Sequence, residues 1–260
     1  MNIFDSAILG AVQGLTEFLP ISSSGHLVIA ESLLGLEVES LLSFDIAVHV
    51  GTLIAILAYF WRDILKFLKT PALLWVLFVG SLPIVVAGLG FGDISDAGDF
   101  RTIGSVGGFM IVAALVFLLA ERFAKSKKQV KVEGLNAKRA FVIGLFQAVA
   151  LIPGVSRSGM TISGGLFQGL RRDEAARFSF LLGAVAIAGA ATLTIAKSIL
   201  SDESNISLDL WPTLVGFLVS GIVGYFAIWG LMKFLKKNSL LVFAIYLLVV
   251  GGTALGFYSL

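Results

Sequence analysis

The stretch from Gln13 to His26, QGLTEFLPISSSGH, sits in an otherwise apolar N-terminal segment. It carries an amide (Gln13), a carboxylate (Glu17), a proline (Pro20), three serines in a row (Ser22, Ser23, Ser24), Gly25 and His26. A second cluster, PGVSRSGMT, runs from Pro153 to Thr161 and holds Gly154, Ser156, Arg157, Ser158 and Thr161. Ionisable groups inside apolar segments are costly and mark functional sites by default. Gln13 and Glu17 are four residues apart and share one helical face. Pro20 discourages continuation of that helix. Ser22 to Ser24 then form a tip, and Ser24-Gly25 can start a returning helix, since serine is a favoured N-cap. Ser23 and His26, three apart, fall on one side if that turn is helical. The second tip repeats the plan with an arginine between two serines. Two helix N-termini, several hydroxyls and an arginine form a receptor for an anionic phosphate. A carboxylate beside them would repel that anion. A divalent cation held partly by Glu17 and bridging to phosphate oxygens removes the conflict. The chemistry expected is therefore phosphoryl transfer.

Each of these residues also has a structural reading. Glu17 could simply pair with Arg157 across the two clusters. Serines in apolar helices usually bond back to their own backbone or to a neighbouring helix. His26 alone would more often be a satisfied interior histidine. His49 falls within a crossing segment and reads as structural. Asp45 and Glu31 lie near the expected outer face and read as solvated or capping. The Lys-rich 122–139 loop reads as a topology determinant, with anionic lipid as a secondary partner.

Composition decides the class of element that carries the clusters. Of 260 residues, 57% are hydrophobic and only 14% charged, against about a quarter charged in soluble domains. The mean hydropathy of +0.97 and apolar runs near 20 residues point to a helical membrane protein. The ~10-residue alternation of a membrane β-barrel is not seen. The 29 glycines suit close helix packing in lipid. The absence of cysteine excludes disulfide and thiol chemistry. The net charge of +2 says little, because the charges are segregated. The N-terminus lacks a basic n-region and a small-residue cleavage site, so no removable signal peptide is expected.

Ten apolar segments follow. Four are short, at 4–20, 24–36, 138–152 and 159–170. Six are long, at 44–61, 72–91, 101–121, 178–200, 211–233 and 240–259. A crossing needs roughly 20 residues to cover ~30 Å, so the six long ones are expected to span. The short ones, paired around each polar cluster, are expected to form re-entrant helical hairpins, which are tolerated where irregular backbone is buried or lines a wet cavity. Basic loops (Arg62, Lys66, Lys69; Arg122, Lys125, Lys127, Lys128, Lys131, Lys138, Arg139; Arg171, Arg172, Arg177; Lys233, Lys236, Lys237) read as cytoplasmic. Acidic ones (Glu37, Glu39; Asp93, Asp96, Asp99; Asp202, Glu203, Asp209) read as outer. Both termini then lie outside, and the two hairpins enter from opposite faces. A shift of 134 residues aligns Gly10, Gln13, Ser22, Ser24, Gly25 and Phe44 with Gly144, Gln147, Ser156, Ser158, Gly159 and Phe178. The fold expected is an all-α integral membrane domain over 1–260. It has about six transmembrane helices, two re-entrant hairpins and an inverted-topology repeat (about 1–125 and 135–260). The small-residue runs 183–191 and 216–224 could pack helices within one chain or between two, so a homodimer is a further expectation.

The two motifs, with FSFLL after the second and the spacing of the apolar segments, closely resemble the bacterial undecaprenyl-diphosphatase family, an integral membrane phosphatase of the bacitracin-resistance type. The resemblance covers nearly the whole chain. It implies removal of the terminal phosphate of undecaprenyl diphosphate, a metal-dependent reaction (Mg²⁺ or Ca²⁺), interlocked inverted repeats, and a multi-pass place in the bacterial cytoplasmic (inner) membrane with the site open outward. It implies a prenyl diphosphate lipid and membrane lipids as partners, and no nucleic acid. By resemblance Glu17, Ser23, His26 and Arg157 occupy the family's functional positions. Gln13 occupies the first position of a motif that carries glutamate in some members, so here the metal site lacks one carboxylate. On this reading Glu17 holds metal with the Gln13 carbonyl, Ser23 is the nucleophile and His26 the general base and acid. Arg157 clamps the diphosphate with Ser22, Ser24, Gly25, Gly154, Ser156, Ser158 and Thr161. A competing mechanism has metal-activated water attack directly. A rival of another class is a lipid-carrier flippase or secondary transporter, since opposed hairpins at a midplane site also serve alternating access.

Overall fold

The computed structural model describes residues 1–36, 41–95, 102–124, 129–200 and 209–258. Among them are eleven α-helices: α1 (Ile3–Phe18), α2 (Ser23–Leu33), α3 (Leu42–Tyr59), α4 (Trp61–Lys69), α5 (Pro71–Ser95), α6 (Ile103–Ala124), α7 (Ala137–Val149), α8 (Arg157–Phe167), α9 (Arg172–Leu200), α10 (Leu210–Leu235) and α11 (Leu241–Tyr258). A single 3₁₀ turn, Val132–Gly134, lies between α6 and α7. All ten apolar segments of the sequence fall on helices. Four helices are long and apolar enough to cross a membrane, namely α5, α6, α9 and α10. α3 and α4 together make a fifth, bent by 73° between them. α11 is apolar over Leu241–Phe257, which is about 26 Å of helix, short of a full hydrocarbon thickness. Sequence reading does not anticipate α4. Its nine residues turn Phe67 into the core while Trp61, Leu65 and Leu68 stay exposed.

Helix ends are set locally. Asn2 starts α1 with a capping box: its Oδ1 accepts from the Asp5 amide at 2.8 Å, and the Asp5 carboxylate accepts from the Asn2 amide. Asn136 starts α7 in the same way, accepting from the Arg139 amide at 2.9 Å. Ser156 caps α8 through the Gly159 amide. Leu19 and Pro20 end α1.

In hydrocarbon, burial of apolar area does not drive helices together, so close backbone approach must. α1 lies along α10, and a Cβ added at Gly10 would stand 2.6 Å from the Gly216 carbonyl oxygen. α7 lies along α5, where a Cβ at Gly144 would overlap the Gly80 carbonyl and stand 2.9 Å from the Pro83 ring. α10 also lies along α3, and α6 along α11. Gly216 and Gly224 are used inside the chain, against Phe44 and Phe18, whereas a Cβ added at Gly183 or Gly189 would meet nothing within 4 Å. Phe18, Phe60 and Phe180 form an aromatic cluster in the core, with Phe18 and Phe180 edge to face at 5.5 Å.

The basic segments gather at one end of the bundle. Lys66 pairs with Glu133 at 2.5 Å, Arg177 with Asp63, and Arg172 with Glu121 at 2.6 Å. Glu121 also accepts from the Leu240 amide, and Glu174 from the Val132 amide. These contacts tie α4, the 3₁₀ turn, α6, α9 and the start of α11 together. The acidic residues Glu37, Glu39, Asp96, Asp99, Asp202 and Glu203, the side chain of Asp93, and Lys125, Lys127 and Lys128 of the basic set lie outside the described residues.

The hydrogen bond from the Lys66 ammonium holds the Glu133 carboxyl at about 2, aided by Arg177. A lowered carboxyl pKa adds stability above the unfolded value near 4.3 and loses it as pH falls towards 2. Glu133→Gln is therefore expected to flatten the loss of thermal stability between pH 4.5 and about 2, modestly because the pair is exposed to solvent. Gly10→Ala is expected to cost about 1–3 kcal/mol through overpacking, read by thermal unfolding in detergent. Gly88→Ala, with nothing within 4 Å, is the control and should cost nothing.

Candidate functional site

Glu17 sits in the last turn of α1, where helix carbonyls disfavour a carboxylate. It is buried, and four side chains surround it. Gln13 Nε2, one turn earlier, donates to Glu17 Oε2 at 3.0 Å. Ser23 Oγ donates to the same oxygen at 2.7 Å. Arg157, 140 residues away in sequence, donates to Oε1. His49 Nε2 stands 3.8 Å from Oε2. Ser23 and Arg157 are the first residues of α2 and α8, so two helix N-termini converge on one carboxylate. Their partial positive charge and the guanidinium offset the cost of burying it. A second link, in which the Ser158 hydroxyl donates to the Leu19 carbonyl at 3.2 Å, ties the second tip to the backbone of the first. The two polar clusters of the sequence therefore meet.

A cavity of about 350 Å³ opens at this point. Glu17, Ser22, Ser23, Ser24, His49 and Arg157 line its polar side, and Ile84, Val106, Leu151, Val155 and Ile187 much of its apolar side. Ser22 is buried, and its hydroxyl has no partner among the described residues. Its backbone lies at φ 71°, ψ 90°, a strained region costing about 1–3 kcal/mol for a residue with a Cβ. Ser24 is exposed on the cavity wall. The remaining residues of the second tip are engaged internally. Ser156 Oγ lies 3.3 Å from Ser158 Oγ. Thr161 donates to the Arg157 carbonyl at 2.8 Å and also pairs with Ser179. Gly154 has φ 89°, and a Cβ there would meet the Val106 carbonyl at 2.6 Å. A Cβ at Gly25 would meet Met110 at 2.6 Å. These residues shape the tips without lining the cavity.

A model of the family "Bacitracin resistance protein BacA" matches residues 6–253. The chain belongs to the BacA family. It is 42% identical to the undecaprenyl-diphosphatase of Carboxydothermus hydrogenoformans, over 98% of this chain and 97% of that one. It is 43% identical to the undecaprenyl-diphosphatase of Thermodesulfovibrio yellowstonii, over 94% of this chain and 93% of that one. The undecaprenyl-diphosphatase of Methanosphaera stadtmanae is 39% identical, with 96% of each chain covered.

Within this BacA-family site His49, rather than His26, stands beside Glu17. His26 does not reach Ser23. Its Nδ1 faces the Ser22 carbonyl at 2.7 Å and its Nε2 the Tyr246 hydroxyl at 2.7 Å. His49, read from sequence as structural, lines the cavity beside Glu17. Its Nδ1 lies 2.7 Å from the Asp45 carbonyl, so that nitrogen carries the proton and Nε2 turns to the site. Asp45 and Glu31 also line the cavity. The i,i+4 spacing of Asp45 and His49 was visible as a shared helix face. Which way that face turns depends on packing.

Breaking one side of the Glu17–Arg157 pair leaves a buried charge alone. Arg157→Ala is expected to lower stability by about 3 kcal/mol. Glu17→Ala with Arg157→Ala together should recover most of that loss, measured as a double-mutant cycle by unfolding in detergent.

Proposed function

We propose that this chain hydrolyses undecaprenyl diphosphate to undecaprenyl phosphate and inorganic phosphate where Glu17 meets Arg157. The reaction recycles the carrier lipid of cell-wall synthesis and confers bacitracin resistance. The observation that carries the reading is Ser23 Oγ bonded at 2.7 Å to a buried carboxylate beside an arginine and two helix N-termini. Incoming phosphate competes with Glu17 for Arg157, which then clamps the diphosphate. Ser23 Oγ attacks the terminal phosphorus as its proton passes to Glu17, already its hydrogen-bond acceptor. The P–O–P bond breaks, and undecaprenyl phosphate leaves with the bridging oxygen. Water then cleaves the phosphoserine: Glu17 returns its proton to the departing Ser23 oxygen, and the water's oxygen and protons leave with the phosphate. Arg157 and the N-termini of α2 and α8 stabilise the charge in both steps. His26, expected from sequence as the base, is given no proton transfer.

Donors for a metal are present once the Gln13 amide turns over, since Nε2 now faces Glu17. Gln13 Oε1 is a fully buried amide oxygen with no partner among the described residues, and Glu17 lies one turn away. Among the described residues no cluster of three or more His, Asp or Glu could hold a metal alone. Glu17 and Gln13 would hold Mg²⁺ or Ca²⁺ with phosphate and water completing the shell, as hard cations accept. Bound there, it would neutralise charge on the phosphates.

The topology we propose counts the bent α3–α4 pair and the shorter α11 as crossings beside α5, α6, α9 and α10, six in all, with α1–α2 and α7–α8 as hairpins entering from opposite faces in an inverted repeat. Several pairings support it. α2 and α8 are both eleven residues long and start at Ser23 and Arg157. The Asn2 and Asn136 caps occupy matching positions. Gly10 on Gly216 beside Phe44 is mirrored by Gly144 on Gly80 beside Phe178. The cavity reaches Thr194 on α9 and Asp45 near the start of α3, at the end remote from the basic cluster. By the positive-inside rule that end is the outer face.

The test is phosphate release from a long-chain prenyl diphosphate in detergent, with EDTA and with added Mg²⁺ or Ca²⁺. Wild type should release phosphate only with metal. Glu17→Ala, Arg157→Ala and Ser23→Ala should each lose at least about 10²-fold in kcat. Release that survives in folded Ser23→Ala would replace the serine with metal-activated water. No release from wild type under any metal would refute the phosphatase reading.

A further inference from the structure

Among the described residues, Ser22 is the one non-glycine residue with a positive φ. Its counterpart 134 residues on, Ser156, has an ordinary φ of −65° and caps its helix through the Gly159 amide. Ser22 makes no such cap. The same motif serine thus takes two conformations, so the motif itself does not impose the strained one. Several neighbours differ, among them Ile21, Ser23 and His26 against Val155, Arg157 and Met160; of these, among the described residues, His26 is the one whose side chain bonds the serine's carbonyl. Ser22's carbonyl can only accept, so His26 Nδ1 carries a proton and donates to it at 2.7 Å. The neutral ring's Nε2 then accepts from the Tyr246 hydroxyl at 2.7 Å. The two rings also stack, with centroids 5.7 Å apart and planes 15° from parallel. Both ring nitrogens are occupied, and neither is aimed at Ser23.

We propose that His26 and Tyr246 form a positioning pair, in which α11 fixes the imidazole and the imidazole holds the Ser22 carbonyl, so that the next residue, Ser23, keeps its hydroxyl on Glu17. The pair's part in the reaction, as distinct from the positioning itself, rests on Ser23 being the nucleophile. Tyr246 is a positioning residue of the reaction, acting through His26 and the Ser22 backbone without touching substrate.

The test separates positioning from proton transfer. Asparagine places an amide N–H close to where Nδ1–H stands and cannot act as a base. His26→Asn should keep kcat within about tenfold of wild type, while His26→Ala loses about 10²-fold, the size of effect a misplacement near 1 Å produces. Tyr246→Phe keeps the stack and removes the hydroxyl. It should lower kcat about tenfold at unchanged KM, as a loss confined to the transition state does. A second readout needs no turnover. The chain has no cysteine, so Ser23→Cys introduces a single thiol. Its rate of labelling by a small maleimide should change at least about fivefold with Tyr246→Phe or His26→Ala and return with His26→Asn, because thiol reactivity follows local environment. A folded His26→Asn as inactive as His26→Ala would overturn the proposal, and so would equal labelling in all backgrounds. If the labelling pattern holds while Ser23→Ala still turns over, the nucleophile assignment fails and the positioning pair stands.

Discussion

One buried ion pair organises this structure. Glu17 closes α1 and Arg157 opens α8, and neither is tolerable alone in a protein interior of this apolarity. Their pairing forces the ends of two short helices to the same point from distant parts of the chain. Gln13 and Ser23 complete the shell around the carboxylate, so its oxygens are satisfied while the serine is held ready. The same pair limits what the site can do. An arginine already committed to a carboxylate is released only to a stronger anion, and a diphosphate is one.

The long helices provide the frame that makes this pairing affordable. α1 and α7 are clamped by α10 and α5 through glycine contacts so close that a methyl group would not fit. The contacts cross between the halves of the chain: the first short helix is held by a late long one, and the second by an early one. Each tip is therefore fixed by the opposite half. At one end Glu121, Glu133 and Glu174 bind the basic segments together, leaving the cavity at the other.

Much of this was legible in the sequence. Glu17, Ser23 and Arg157 were marked by their cost in an apolar chain, and the shift of 134 residues brought out the match between the two tips. The ten apolar segments all appear as helices. What escaped was direction. His26 and His49 each have unambiguous positions along a helix, but the face each helix turns to the cavity is set by packing, so the nearness of His49 to Glu17 was not legible. That Asp45 and Glu31 line the cavity escaped for the same reason. α4 escaped because nine amphipathic residues next to a longer apolar run look like its polar end. The span count differs because α11 is apolar but short, and α3 reaches spanning length only with its bent neighbour. The positive φ at Ser22 carries no sequence signal at all, since only glycine or asparagine would announce it.

The most direct test of the composite site is an experimental structure with a prenyl methylenediphosphonate, which cannot be hydrolysed. The account predicts phosphonate density in the cavity between Ser23 and Arg157, with the guanidinium turned from Glu17 onto the ligand. Phosphonate bound elsewhere, with the Glu17–Arg157 pair intact, would contradict it.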